Sequence, residues 1–270
     1  MQPKIITLTT DMGNRDYYVA AIKGKLLSVD SNLRIVDVSH EIKPFDIAHA
    51  SYVLRNCFEE FPEGSVHIVG VNPESSDDIR HVAIKYKGHY FVGADNGFFS
   101  LLCDTDLPEL IVEINLNLVD HPHSFPTKNV FAPIAAKLAN GVRLDDVGVI
   151  KESILRRQLF RPTADDNIIK GTVSYIDAYG NIITNISEQL FFEVCERRPF
   201  RIYLTKAGYT ITKIHEKYSQ VPQGEKVALF SSTGMLEIAI NKGVEGSGGG
   251  ANKLFGLKLN DTITIEFLDA

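Results

Sequence analysis

Cysteine is scarce in this chain and badly placed for bonding. Cys57, Cys103 and Cys195 lie far apart, with no Cys-x-x-Cys pair. That pattern argues against a zinc site or a disulfide framework and reads as reduced core thiols. Positive charge is also in short supply: 28 Lys plus Arg face 34 Asp plus Glu, for a net charge of -6. The largest basic cluster, Lys151 to Arg161, holds four cations. The concentrated basic face that grips a phosphate backbone is missing, so nucleic acid is not an expected partner. No apolar run approaches the ~20 residues that span a bilayer. The opening Met1-Gln-Pro-Lys-Ile has neither the apolar stretch nor the cleavage site of a signal peptide. A membrane partner is therefore not expected, and a cytoplasmic location is. The 8 His show no His-x-x-x-His or His-Glu-x-x-His spacing. His40, His49, His67 and His89 read as core or surface residues, and no metal is expected. A Gly-x-Ser-x-Gly elbow is absent, which argues against a serine hydrolase. Gly243 to Gly250 has five glycines in eight residues. It lacks the Gly-Lys-Ser/Thr ending of a phosphate loop and reads as a mobile loop.

What is present is a soluble-globular composition: 270 residues, 44% apolar and 23% charged. The length suits two domains or one large one. Lys4 to Thr10 (KIITLTT) reads as a buried strand ending in Asp11-Met12-Gly13-Asn14. A helix should follow, with Tyr18, Ala21, Ile22 and Leu26 on one face. Leu33 to Val38 and Ser65 to Val71 read as further strands. Ile47 to Phe58 reads as a helix through Ala48, Tyr52, Leu54 and Phe58. His81 to Tyr86 and His89 to Gly93 pair through Lys87-Gly88. Asp95-Asn96-Gly97 opens a helix over Phe98 to Cys103, and Asn129 to Asn140 forms another that ends at Gly141. The style then shifts to short strands: Ile168 to Ile176, Asn181 to Ile186, Phe200 to Leu204, Tyr209 to Ile214, Lys226 to Phe230 and Thr262 to Phe267. The expected architecture is an α/β N-terminal domain (residues 1–160) with a mostly parallel central sheet. A smaller β-barrel-like C-terminal domain (residues 168–270) follows, with the linker near Arg156 to Asn167.

Three constellations carry chemistry. Asp11, at the C-terminal end of a central strand, stands where open α/β sheets bind ligands. It suits a ribose diol or a cation, and equally a helix N-cap. Asp177-Ala178-Tyr179-Gly180-Asn181 reads first as an ordinary hairpin turn. It also offers an aromatic face for a planar base and an amide to read its edge. Ser231-Ser232-Thr233-Gly234 reads as polar strand-end filler or as a carboxylate cradle.

In order, Thr10-Asp11-Met12-Gly13, Val36 to Ile42 (VDVSHEI), Val92 to Gly97 (VGADNG), Phe131-Ala132-Pro133, Ile176 to Asn185 (IDAYGNIITN) and Ser232 to Ala239 (STGMLEIA) resemble one family. It is the S-adenosyl-L-methionine hydroxide adenosyltransferases, related to the fluorinase and chlorinase. The resemblance spans nearly the whole chain. It implies an α/β domain joined to a β-barrel-like domain, in a homotrimer with each site between one subunit's N-domain and a neighbour's C-domain. It places a ribose-diol carboxylate on Asp11, methionyl contacts on Asp16, Asp177, Ser232 and Thr233, and adenine contacts on Phe45, Tyr179 and Asn181. The substrate it implies is S-adenosyl-L-methionine, with no cofactor.

The departures fall around the attacking water. The hydrolytic members surround it with an Asp, an Arg and a His. The matching segments here are Val71-Asn72-Pro73-Glu74 and Phe125-Pro126-Thr127-Lys128-Asn129, with the Arg kept as Arg80. Asn72 cannot act as a base, and Pro126 offers no side-chain hydrogen bond. Thr127 sits where the fluorinase has a halide-contacting Ser, but Asn72 is not the halogenase residue either. The expected activity is hydrolysis of S-adenosylmethionine by displacement at ribose C5′. The altered catalytic set is Asn72, Ser75, Arg80 and Thr127, with His123 beside it. The alternative is a non-catalytic binder or sensor of an adenosyl ligand. A calcium-dependent nucleoside hydrolase fits poorly, because Thr9 to Asp16 holds too few carboxylates for a cation that takes roughly 6–8 oxygens.

Overall fold

The computed structural model describes residues 4–120, 124–158, 160–204, 209–243 and 249–268. They divide into two compact units, residues 1–159 and 160–270. In the first unit, strands β1 (Ile5–Thr10), β2 (Arg34–Ser39), β3 (Val66–Gly70), β4 (His81–Tyr86), β5 (His89–Ala94), β6 (Leu110–Ile114) and β7 (Gly148–Lys151) form one sheet. Its order is β2-β1-β3-β5-β4-β6-β7. The first four strands of that order run parallel, and β4, β6 and β7 are antiparallel to their neighbours. Helices α1 (Tyr18–Val29), α2 (Ile47–Arg55), α3 (Phe98–Cys103) and α4 (Ala132–Ala139) cover both faces. One core packs β1 and β3 against Ile22, Leu26, Ile134 and Leu138. The other packs Val69, Phe91 and Ile84 against Leu54, Phe98 and Phe99. Burial on both faces is why β1 and β3 are rich in β-branched residues and show no apolar–polar alternation.

Both long helices keep part of the stripe the spacing suggested (Ile22 and Leu26, and Leu54) and replace the rest. In α1 the buried residues are Val19, Ile22 and Leu26, and Tyr18 faces outward. In α2 they are Ala50, Ser51 and Leu54. The helix expected from Asn129 instead begins as a π-helical turn, Thr127–Phe131, which runs into α4. β6 and β7 were not expected; they are short, and β7 is an exposed edge strand.

The second unit is antiparallel: β8 (Thr163–Ala164), β9 (Ile168–Ile176), β10 (Ile182–Ser187), β11 (Phe200–Tyr203), β12 (Thr210–Ile211), β13 (Lys226–Phe230), β14 (Met235–Ile240) and β15 (Thr262–Phe267). The order β12-β11-β15-β9-β10-β14-β13 almost closes on itself. A single bridge from Ile214 to Ala228, with His215 N–H donating to Ala228 O at 2.8 Å, joins the two ends. Helices α5 (Glu188–Cys195) and α6 (Ala251–Phe255) complete the unit. α5 and β14 were not expected. Ser187 caps α5 by accepting from Leu190 N–H, a start signal the sequence carries openly. Residues 163–164 pair with β9, inside the stretch expected to be linker. Within Gly243 to Gly250, residues 244–248 lie outside the described ones, as does His123. Among the described residues no helix is long and apolar enough to cross a membrane.

A polar chain crosses the apolar core of the first unit. Thr7 Oγ1 lies 2.8 Å from His67 Nδ1, and His67 Nε2 lies 3.1 Å from His89 Nδ1. Burial, with the His89 charge added, pushes His67 down to about 3. Folding therefore excludes a proton that the unfolded chain takes up near pH 6.5. Stability from this group is full above that pH and falls as the pH drops toward 3. Between pH 7 and pH 5 the expected loss is about 2 kcal/mol. Urea denaturation at the two pH values measures it. A His67→Gln variant with the same pH slope as the wild type would remove His67 as the cause.

Candidate functional site

The strand order β2-β1-β3 sends the chain left of β1 through α1, then back across to the right for β3. The crevice at the C-terminal ends of β1 and β3 is thus a topological switch point, where such sheets hold ligands. Every site residue predicted in the first unit is carried by a turn or segment at this end. Asp11 follows β1, Phe45 follows β2, and Asn72 and Ser75 follow β3. Arg80 precedes the antiparallel β4, which brings it to the same edge.

Asp11 does not cap α1. The N-cap there is Tyr17, with no side-chain bond. Asp11 Oδ2 instead accepts from Phe45 N–H at 2.8 Å. Phe45 is held at φ 64, a left-handed conformation costly for an aromatic residue, and the residue is 72% exposed. The carboxylate therefore fixes an exposed aromatic face beside itself and keeps further lone pairs for a ligand. The turn is braced from behind. Between β1 and β2 the register slips by one residue, so Leu8 pairs with Asp37 but Thr9 with Ser39. This brings His40 back to Thr10: their Nδ1 and Oγ1 lie 2.8 Å apart, and Gly13 N–H donates to His40 O at 2.8 Å. Asp37 Oδ1 approaches His40 Nε2 to 3.0 Å. Asp16 is exposed on the rim.

Thr127 is fully buried, and its Oγ1 has no hydrogen-bond partner among the described residues. It opens the π-helical turn, a distortion common at functional sites. It lies against β3 at Gly70, where a Cβ would stand 2.8 Å from Oγ1. Only glycine at 70 admits that side chain. An orphaned buried hydroxyl costs free energy until something polar meets it. Asn72 is also left-handed, at φ 45. Arg80 is exposed; its guanidinium donates to Ser76 O at 3.4 Å and lies 3.8 Å from Glu113. Among the described residues no hydrogen bond joins Arg80 to Asn72 or Thr127, and Ser75 is exposed in the same loop.

In the second unit Asp177 organises its turn completely. Oδ1 accepts from Tyr179 N–H and Asn181 N–H, each at 2.9 Å, and Oδ2 accepts from Asn181 Nδ2 at 3.0 Å. A carboxylate only accepts, so the Asn181 amide must turn its nitrogen to Asp177. Its oxygen is left to receive a donor such as an exocyclic amine. Gly180 is at φ 82, and a Cβ there would strike Asn252 at 2.6 Å. Tyr179 is 62% exposed. Thr233 Oγ1 lies 2.8 Å from Ser231 Oγ, and Ser232 is exposed in the same turn. Three buried residues of these two sites were not singled out from the sequence: Asn96, His81 and Glu237. Glu237 accepts from the Tyr218 hydroxyl at 2.6 Å. Burial pushes its carboxyl up, and the Asp177 charge adds to the shift. Among the described residues no His, Cys, Asp and Glu group is arranged to hold a metal ion.

Comparison with known proteins agrees with this arrangement. Residues 6–148 match the SAM hydroxide adenosyltransferase N-terminal domain, and residues 171–264 match the C-terminal domain. An (R)-S-adenosyl-L-methionine hydrolase of Methanocaldococcus jannaschii is 31% identical, covering 87% of this chain and 88% of its own. A fluorinase of Nocardia brasiliensis is 25% identical, covering 88% of this chain and 90% of its own. The crystal structure of an uncharacterized conserved protein from Thermotoga maritima superposes with a TM-score of 0.86 at 28% identity, over 97% of this chain and 99% of that one. With both halves matched in order, the chain belongs to the SAM hydroxide adenosyltransferase family of enzymes.

Proposed function

We propose that this protein hydrolyses S-adenosyl-L-methionine to adenosine and L-methionine through a divergent nucleophile site. The observation that carries the reading is the pairing of Asp11 with Phe45 at the switch point: a carboxylate suited to a ribose diol beside an exposed ring suited to a purine. Tyr179 and Asn181 supply a second ring and a fixed amide oxygen for the base. Asp16, Asp177, Ser232 and Thr233 receive the methionyl end. The two half-sites meet between subunits of a cytoplasmic homotrimer.

Water attacks C5′ from the side opposite sulfur. The C5′–S bond breaks, its electron pair neutralises the sulfonium, and methionine leaves as a thioether. The proton from water passes to solvent. The leaving group needs no protonation and no cofactor. The protein's task is to position the ribose and the water and to exclude bulk solvent. The unpartnered Thr127 hydroxyl suits a hydrogen bond to that water, with Asn72, Ser75 and Arg80 around it. A second reading, a non-catalytic adenosyl-ligand binder, is favoured by the loss of carboxylate at Asn72 and of imidazole at Pro126. Incubating the protein with both sulfonium epimers and following adenosine by chromatography separates the two. Adenosine above a heat-killed control is expected. Tight adenosine binding by calorimetry without turnover would favour the binder, and no nucleoside affinity would end both readings.

A further inference from the structure

The loop that follows β3 is held by side chains to which the substrate reading gives no role. Asn96, 3% exposed, donates from Nδ2 to Asn72 O at 2.9 Å and to Val71 O at 3.2 Å. Its Oδ1 accepts from Phe98 N–H at 3.1 Å, which fixes the amide at the start of α3. His81, also 3% exposed, places Nε2 2.9 Å from Pro73 O. A carbonyl only accepts, so Nε2 carries the proton. Three consecutive carbonyls, Val71, Asn72 and Pro73, are thus pinned by two buried side chains from the ends of β5 and β4. Pro73 favours extended backbone at Asn72, so the observed φ of 45 is held against that preference by these bonds. The result is one left-handed residue whose Cα–Cβ direction is fixed by buried groups behind the loop.

We propose that Asn96 and His81 are positioning residues that clamp the Val71–Asn72–Pro73 turn and so aim the Asn72 side chain at the reacting centre. The proposal rests on the hydrolase reading above and adds the device that sets its nucleophile loop. The Phe98 N–H contact lets Asn96→Asp keep the helix start while turning a carboxylate oxygen against two carbonyls. His81→Phe keeps the ring packed edge-on to Phe131, 5.0 Å away between centroids, but loses the donor. His81→Gln places an amide N–H near the Nε2 position.

The test is steady-state kinetics and adenosine calorimetry on all three variants, with deuterium exchange of the peptide covering residues 71–76. Asn96→Asp and His81→Phe are expected to lower kcat about tenfold or more, since small misplacements near the reacting atoms are costly. KM and adenosine affinity should stay within about twofold, loop exchange should rise, and His81→Gln should resemble the wild type. Unchanged kcat in folded variants overturns the proposal. So does an equal loss of kcat and adenosine affinity, the mark of a merely structural role. If Asn96→Asp does not fold, the two His81 variants decide. If the wild type itself releases no adenosine, the hydrolase reading fails and exchange judges the clamp. Faster loop exchange in His81→Phe but not His81→Gln then supports it, and no difference sinks it.

Discussion

Asp11→Ala is expected to weaken adenosine binding about 100-fold or more while leaving the protein folded. Two ribose hydroxyls donating to one carboxylate are charge-assisted bonds, each worth about 1.5–3 kcal/mol. Losing both exceeds the roughly 2.7 kcal/mol that 100-fold represents. The substitution has a second effect that a simple contact count would miss. Asp11 Oδ2 also holds Phe45 N–H, so the alanine variant frees Phe45 from its left-handed conformation and its ring loses its fixed aim. Asp11→Asn separates the two effects. Its amide oxygen still accepts from Phe45 N–H, but the charge is gone, so an intermediate loss is expected. Calorimetry with adenosine reads all three proteins. Wild-type affinity in Asp11→Ala would mean that the carboxylate only shapes the turn.

The bond to Phe45 N–H explains why the sequence left Asp11 open between helix cap and ligand carboxylate. The deciding partner, Phe45, lies 34 residues away. No local pattern announces a bond between a strand-end carboxylate and a backbone amide in a later loop. The parallel core was legible because strands buried on both faces show no apolar–polar alternation, as the β-branched run Ile5 to Thr10 does. The edges were not. Gly148–Lys151 pairs on one side only, and its exposure leaves no periodicity to read. α1 illustrates a finer limit. Tyr18 and Val19 fit the same helical spacing within one residue, and only packing against the sheet selects Val19. The Asp177 turn was visible as a turn, and its carboxylate bonds are all local. The clamp was invisible because Asn96 meets Val71 and Asn72 across 25 and 24 residues of chain.

Asn72→Asp is expected to raise the rate of S-adenosylmethionine hydrolysis about tenfold or more without changing adenosine affinity. A positioned base contributes roughly 10²–10⁴ in favourable cases. A gain of about tenfold, below that range, is expected here, because Pro126 offers no imidazole beside the new carboxylate. The clamp makes the exchange structurally cheap. All three pinned groups are backbone carbonyls, so Asp inherits the same Cα–Cβ direction that Asn has. Asp also tolerates the left-handed conformation nearly as well as Asn. A new carboxylate at this edge further favours the cationic sulfonium in the ground state, so KM should fall or hold while kcat rises. Initial rates of adenosine release at matched protein concentration give both constants. Turnover equal to or below that of the wild type would mean that Asn72 does not face the attacking water, and that the hydroxyl of Thr127 carries the positioning by itself.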